Sequence, residues 1–356
     1  MKSFTVARVR STTAGFTLAE LLVSVFVLVL LTFMFAQLMT TAAVMTRTGH
    51  KHIDVDTQAR VVLDRMALDF AQMVKRTDVD YYLKQRIAYG GHGNGHGCGA
   101  GRNNDKGSDQ MAFFSHVRGY YPTGYTVGQQ SPISLVAYRV NEGNANNNPA
   151  YGRLERMAKG LGWNGLISNP NTNSPYPIVF LPQTIGNISA WSASINNDNS
   201  NASKDADYEV IGPGVFRFEY YYVLKNGRVT DWPWDRFDYP DQLTISNPLQ
   251  LGLSQVEAIA VSIAVIEPAS RALIQAASTT TGYGDILDVA AELPDFKNTC
   301  GQGGGAQKTL GTLENQWKGI IASMAQTGQT PQGKLLPREA AKGMRVYTRY
   351  FDLKIL

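Results

Sequence analysis

The stretch AGFTLAELLVSVFVLVLLTFMFAQLM, residues 14–39, decides how the rest of the chain is read. From Leu21 to Met39 only Ser24, Thr32 and Gln37 interrupt an apolar run about long enough to cross bilayer hydrocarbon as a helix. One membrane-spanning helix is therefore expected, over 16–40. Lys2, Arg8 and Arg10 precede it with no acidic residue beside them. The positive-inside tendency thus predicts a cytoplasmic amino terminus and export of the chain beyond the helix, although Arg47 and Lys51 lie on the far side. An ordinary secretory signal puts its apolar stretch ahead of a small-residue cleavage site and loses it. Here the order is reversed, and a cut after Gly15 leaves the hydrophobic helix on the mature chain.

Glu20 is the residue that a plain signal anchor does not explain, because an ionisable group at the edge of a span is costly and usually has a partner. Gly15-Phe16-Thr17-Leu18-x-Glu20 followed by an apolar run resembles the cleavage and methylation motif of type IV prepilins and type II secretion pseudopilins. The resemblance implies a leader, 1–15, removed by a prepilin peptidase that also methylates the new amine of Phe16. It further implies that Glu20, about one helical turn from that amine, pairs with the amine of a neighbouring subunit during assembly. In a low-dielectric bilayer such a pairing selects correctly docked subunits.

No proline occurs before Pro122, so the helical pattern is expected to run on to about Arg76, with Gly49 its weak point. Ala59, Leu63, Met66, Phe70 and Met73 recur at spacings of four and three, along one face, while Asp56, Arg60, Asp64 and Gln72 lie elsewhere. The segment 41–76 is therefore read as an amphipathic continuation of the helix, its stripe packed on a sheet. A head, 77–356, completes the chain. Strands are expected at Met111–Tyr121, Ser134–Asn141, Tyr176–Leu181, Val215–Leu224, Gln255–Ile266 and Val346–Ile355. In the fourth, Phe216, Phe218, Tyr220 and Tyr222 are expected on one face, and Lys225-Asn226-Gly227-Arg228 supplies an Asn-Gly hairpin turn. Pro268–Ala277 and Thr309–Met324 read as helices.

Several details resemble the J-type minor pseudopilins of type II secretion: Gln58-Ala59-Arg60, Leu63-Asp64-Arg65-Met66 and Asp69, Tyr138-Arg139, Leu154-Glu155-Arg156, Trp232-Pro233 and the closing Tyr347-Thr348-Arg349-Tyr350-Phe351. The long insertion after Glu267-Pro268 departs from that pattern. With it the chain is similar to the prepilin-like C-type members of the Verru_Chthon cassette. The fold class expected is α+β and pilin-like, a long amino-terminal helix packed on an antiparallel sheet.

Composition narrows the function. The chain is 44% hydrophobic and 17% charged, as a globular protein is, and its net charge of +4 is concentrated in the leader. Without residues 1–15 the balance is thirty basic against twenty-nine acidic residues, too even for a nucleic-acid partner. Cys98 and Cys300, the only cysteines, form a disulfide in an oxidising compartment or remain two thiols. The glycine-rich run around His92, His96 and Cys98 lacks a fourth metal ligand and reads as an exposed loop. The Asn-rich run with Asp198, Asp205 and Asp207 offers oxygen donors, and resemblance to pseudopilins raises calcium there, but its spacing matches no EF-hand. No cofactor is expected, with calcium the alternative. No nucleophile stands beside a base, and His116 reads as a surface or core residue.

The expectation is a non-enzymatic, single-pass inner-membrane subunit with a periplasmic head, exposed where it enters a filament. Its partners would be the prepilin peptidase, other pilin or pseudopilin subunits, an inner-membrane assembly platform and the lipid bilayer. The alternatives are a surface pilus subunit for adhesion or DNA uptake, and an anchored periplasmic enzyme using a prepilin signal.

Overall fold

The computed structural model describes residues 17–75, 107–120, 130–143, 148–162, 166–168, 175–177, 195, 207–231, 233, 253–296 and 309–353. The chain is α+β and divides into two compact parts between Ile53 and Asp54, within helix α1, Leu18–Ala71. Gly49 does not interrupt that helix. In the first part the described residues are the apolar start of α1. The second part holds everything else.

Its strands form two four-stranded antiparallel sheets where the sequence pattern predicted one. The first has the order β1 (Gln110–Ser115), β2 (Gln130–Val140), β3 (Leu154–Gly162), β6 (Tyr208–Gly212). The second has the order β10 (Met344–Asp352), β9 (Val256–Ile266), β7 (Val215–Leu224), β8 (Val229–Thr230). A separate short pair joins β4 (Leu166–Ser168) to β5 (Pro175–Pro177). Of the strand expected at Tyr176–Leu181, the part beyond Pro177 lies outside the described residues.

The helix expected to reach Arg76 ends at Ala71, and Met73 beyond it bridges to Ser115; up to Phe70 the predicted stripe is the buried face of α1. Ala59, Leu63, Met66, Phe70 and Met73, joined by Val55 and Val62, pack with Phe113 of β1, Tyr138 of β2, Phe218 and Tyr220 of β7 and Ile263 of β9 in the main core. Phe70 meets Phe113 at 5.2 Å and Phe351 at 4.9 Å between ring centres, so one aromatic residue joins the helix to both sheets. Burying side chains such as Met66 and Phe70 contributes about 1.5–3 kcal/mol each, and this apolar contact is what holds the helix to the sheets.

The far side of the second sheet is covered by the insertion between β9 and β10: α2 (Pro268–Ala277), α3 (Ile286–Glu292), α4 (Thr312–Thr327) and α5 (Arg338–Lys342). Strand β9 shows how one strand serves two layers. Its larger residues Ile259, Val261, Ile263 and Val265 join the α1 core, while Ala260, Ala264 and Ile266 face the insertion. The two alanines leave room for Trp317 of α4, which is fully buried and donates its indole N–H to the Pro294 carbonyl at 2.7 Å. Asp285 caps α3 reciprocally, accepting from the Asp288 amide while the Asp288 carboxylate accepts from its own.

One pattern differs from the expected alternation. Phe218, Tyr220 and Tyr222 share the α1 face, but Phe216 lies in the insertion's core with Tyr221. A register shift between Val215 and Arg217 opposite β9 inserts an extra residue, so Phe216 and Arg217 both turn away from α1. The expected turn does form: Gly227 adopts φ 79°, and β7 pairs with β8 through Tyr222 to Thr230 and Val223 to Val229.

Within the stripe sits one carboxylate. Asp69 is fully buried and receives the Arg156 guanidinium through Nε to Oδ2 at 2.6 Å and Nη2 to Oδ1 at 2.9 Å, together with the Tyr138 hydroxyl. Burial, and after it the Asp69 charge, hold that hydroxyl's pKa well above the ordinary tyrosine value. Removing one member of such a group strands the others, at about 3–5 kcal/mol. Asp69→Ala is therefore expected to lower unfolding stability by about that amount in denaturant titration. Arg65→Ala, which removes a half-exposed partner 3.6 Å away, should cost under ~1 kcal/mol. Equal effects would contradict the arrangement.

Candidate functional site

The candidate site begins with α1 itself. Leu18–Ala43 has mean hydropathy 2.6 and is 0% buried, long and apolar enough to cross a membrane. Its hydroxyl-bearing residues bond back to their own helix. Ser24 donates to the Leu21 carbonyl at 2.9 Å, Thr32 to Val29 at 2.9 Å and Thr41 to Gln37 at 2.9 Å. That is how polar side chains are tolerated where no water is available.

Glu20 is the only charged side chain from Leu18 to Ala43. Thr17 and Glu20 make a reciprocal capping box at the start of α1. The Glu20 amide donates to Thr17 Oγ1 at 3.3 Å, and Glu20 Oε2 accepts from the Thr17 amide at 2.9 Å and its hydroxyl at 2.8 Å. These bonds satisfy amides that the helix start would leave open, and they place a negative charge at the positive end of the helix dipole. The carboxylate is thus held at the first turn, exposed, amid exposed Leu18, Leu21 and Leu22. Such a group accepts hydrogen bonds from an ammonium ion. The Thr-x-x-Glu spacing that signals this cap is legible in the sequence.

Gly15 and Phe16 lie outside the described residues, as do His92, His96, Cys98, Asp198, Asp205 and Cys300. Among the described residues no group of three or more His, Cys, Asp or Glu side chains is placed to hold a metal ion. His116 is exposed, and its amide donates to the Gln72 carbonyl at 2.9 Å.

The other charged constellations are internal ties. Arg217 is fully buried against Asp295, with Glu219 at 3.7 Å, and the Phe296 amide donates to Glu219 at 2.9 Å. Together they fasten the segment after α3 to β7. On the edge of β7, the Asp109 amide donates to the Phe218 carbonyl at 2.9 Å and the Tyr220 amide to Asp109 Oδ2 at 2.9 Å, joining the first sheet to the second. Glu142 secures this joint by accepting from the Ser108 amide at 2.7 Å. Tyr221 and Tyr350 both donate to Glu314 Oε1, at 3.2 and 3.4 Å, linking β7 and β10 to α4. At the α1 surface, Asp64 meets Arg349 and Asp56 meets Tyr347. The motifs noted along the sequence therefore meet in space: Asp69 with Tyr138 and Arg156, Arg139 with Glu155, Asp64 with Arg349.

No protein-family model matches the chain, and no curated protein matches it.

Glu142 gives the head a pH dependence. Burial pushes its carboxyl up from 4.5 to about 7, against the opposing effects of the Ser108 amide and Arg217, while Asp295 and Asp109 add to the rise. Its folded value stands above its unfolded one. The folded protein therefore keeps a proton that the unfolded chain releases, and the stabilisation is full below about pH 4.5 and lost as pH rises to about 7. The folding constant should fall by up to about tenfold per pH unit across this window. Glu142→Gln should remove that slope in denaturant titrations at several pH values, and an unchanged slope would assign it to another group.

Proposed function

We propose that the chain is the precursor of a structural subunit of a type IV pilus-like or type II secretion pseudopilus filament. A prepilin peptidase cuts it between Gly15 and Phe16 and methylates the new amine. Leu18–Ala43 holds the mature protein in the inner membrane, with the amino terminus on the cytoplasmic side and the head in the periplasm. The basic residues Lys2, Arg8 and Arg10 favour that orientation. The partners are other pilin-like subunits and an inner-membrane assembly platform. The protein is substrate rather than enzyme in the processing step.

One observation carries the reading: the only charge on an exposed apolar helix stands in its first turn, directly behind Gly15-Phe16. A carboxylate left there faces the hydrocarbon boundary without a counter-ion, and a freshly exposed ammonium group one turn away, on its own or a neighbouring chain, supplies one. Support also comes from the head, where the second half of α1 packs its stripe on antiparallel sheets, an arrangement compatible with a pilin-like layout.

The test is incorporation into fibres. Glu20→Ala should still fold and reach the membrane but enter fibres roughly a hundredfold less, since stranding one member of a desolvated ion pair costs about 3–5 kcal/mol. Glu20→Asp, which keeps the charge on a shorter stem, should retain part of the incorporation. Normal entry of Glu20→Ala, scored by immunoblot of sheared fibres, would refute the proposal.

A further inference from the structure

A sheet edge presents a row of backbone donors and acceptors, which native proteins cover, shorten or pair. Of the terminal strands in the two four-stranded sheets, β1 and β8 are dealt with inside the chain. The segment after α1 runs along β1, where the Val74 amide donates to the Phe114 carbonyl at 2.8 Å and the His116 amide to the Gln72 carbonyl at 2.9 Å, and β8 is only Val229–Thr230. Strands β10 and β6 remain. β10 bonds to β9 through its odd-numbered residues: at the two ends of the ladder the Glu267 amide donates to the Gly343 carbonyl at 3.1 Å and the Leu353 amide to the Glu257 carbonyl at 2.8 Å. Val346, Thr348 and Tyr350 therefore turn their N–H and C=O outward, and among the described residues no backbone group meets them.

The same reasoning orients β6. The Asn141 amide donates to the Arg153 carbonyl at 2.9 Å, so the odd-numbered residues of β3 face β2 and the even-numbered Arg156 bonds to Glu209. Tyr208 and Val210 thus point their backbone groups away from β3. The two edges also agree in face. Ile211 of β6, like Tyr347 and Phe351 of β10, packs into the α1 core, while Tyr208 packs on the opposite side of its sheet. They differ in charge: Glu209 of β6 is exposed, and Arg349 of β10, although paired with Asp64, stays half-exposed. With the strands antiparallel and the α1 faces together, Val210 can stand opposite Val346, Thr348 or Tyr350, and only Thr348 sets Glu209 against an arginine. That register also pairs Tyr208 with Tyr350 and Ile211 with Tyr347, both favourable cross-strand contacts. Two β10 edges would instead line up Arg345 and Arg349 of each strand along one seam.

We propose that the outer edge of β10 takes β6 of a second copy of this chain, antiparallel, with Thr348 opposite Val210 and Arg349 opposite Glu209. The joint is backbone pairing reinforced by one ion pair and by the aromatic contacts of Tyr350 and Tyr347. Because it uses two different edges, the contact runs head to tail, the type that builds open filaments rather than closed dimers. It deepens the filament reading by naming a contact between heads, and it rests on that reading for its place in a fibre.

In the full chain Tyr350 is replaced by photoreactive p-benzoylphenylalanine, and chains grown in light and heavy nitrogen are mixed in detergent, irradiated and digested. Cross-linked peptides that join a light to a heavy chain are expected to tie position 350 to Tyr208–Gly212. Glu209→Arg should lower that yield about fivefold, and adding Arg349→Glu should restore it. Thr348→Pro should lower it about tenfold, because it removes an outward N–H from the joint. Its melting temperature should stay close to that of Thr348→Val, since the lost N–H does not face β9. Glu20→Ala should cross-link as the wild type does while failing to enter fibres, so this joint and the assembly role of Glu20 fail separately. No cross-link between chains, a cross-link to β10 of the second copy, or a yield indifferent to both Glu209→Arg and Thr348→Pro overturns the proposal.

Discussion

An apolar helix whose side chains are exposed among the described residues is the constraint on which the other features rest. From Leu18 to Ala43 every side chain whose exposure is defined is open to the surroundings, and the backbone there is satisfied only within the helix. Such a segment is compatible with lipid or with other apolar helices and with little else. Its hydroxyls are folded back on their own carbonyls, which leaves Glu20 as the one group whose charge needs an outside partner. The proposed assembly role rests on that single uncompensated charge, because an ion pair in a low-dielectric setting discriminates strongly between a docked and a misplaced neighbour.

Beyond Asp54 the same helix obeys a different solvent. Its buried face is continuous from Val55 to Phe70, and the one acid in that face, Asp69, is admitted because Arg156 and Tyr138 meet it. The second sheet is held from both sides. On one side α1 supplies large side chains; on the other the insertion supplies Trp317, Phe296 and Leu293 above the alanines of β9. Charged groups recur at each junction between layers: Arg217 with Asp295, Glu314 with Tyr221, Asp109 with the β7 edge. They add geometric selectivity where apolar contact alone would allow sliding.

Much of this is legible where periodicity is long and local. The α1 stripe, the apolar span, β7, β9 and α2 can be read from spacing and composition alone. The features that escape such a reading depend on distant partners. Phe216 breaks its expected face because a bulge is set by pairing with β9 forty-odd residues later. Strand β3, LERMAKGLG, lacks alternation because Lys159 and Glu155 are buried beside Asp207 and Arg139, neighbours that no local window contains. Asp69 looks like any helix-surface acid until Arg156 is placed against it. The Thr17 and Glu20 cap, by contrast, is local and readable. Of the candidate site, Glu20 lies within the described residues, while Gly15 and Phe16 rest on the motif in the sequence.

The most direct measurement is the intact mass of the native protein extracted from its own membranes, with sequencing of its first residues. The account predicts a chain that begins at Phe16, carries one methyl group on its amine and keeps the apolar helix. A chain that still begins at Met1, or one cut beyond Ala43 so that the helix is lost, would contradict it.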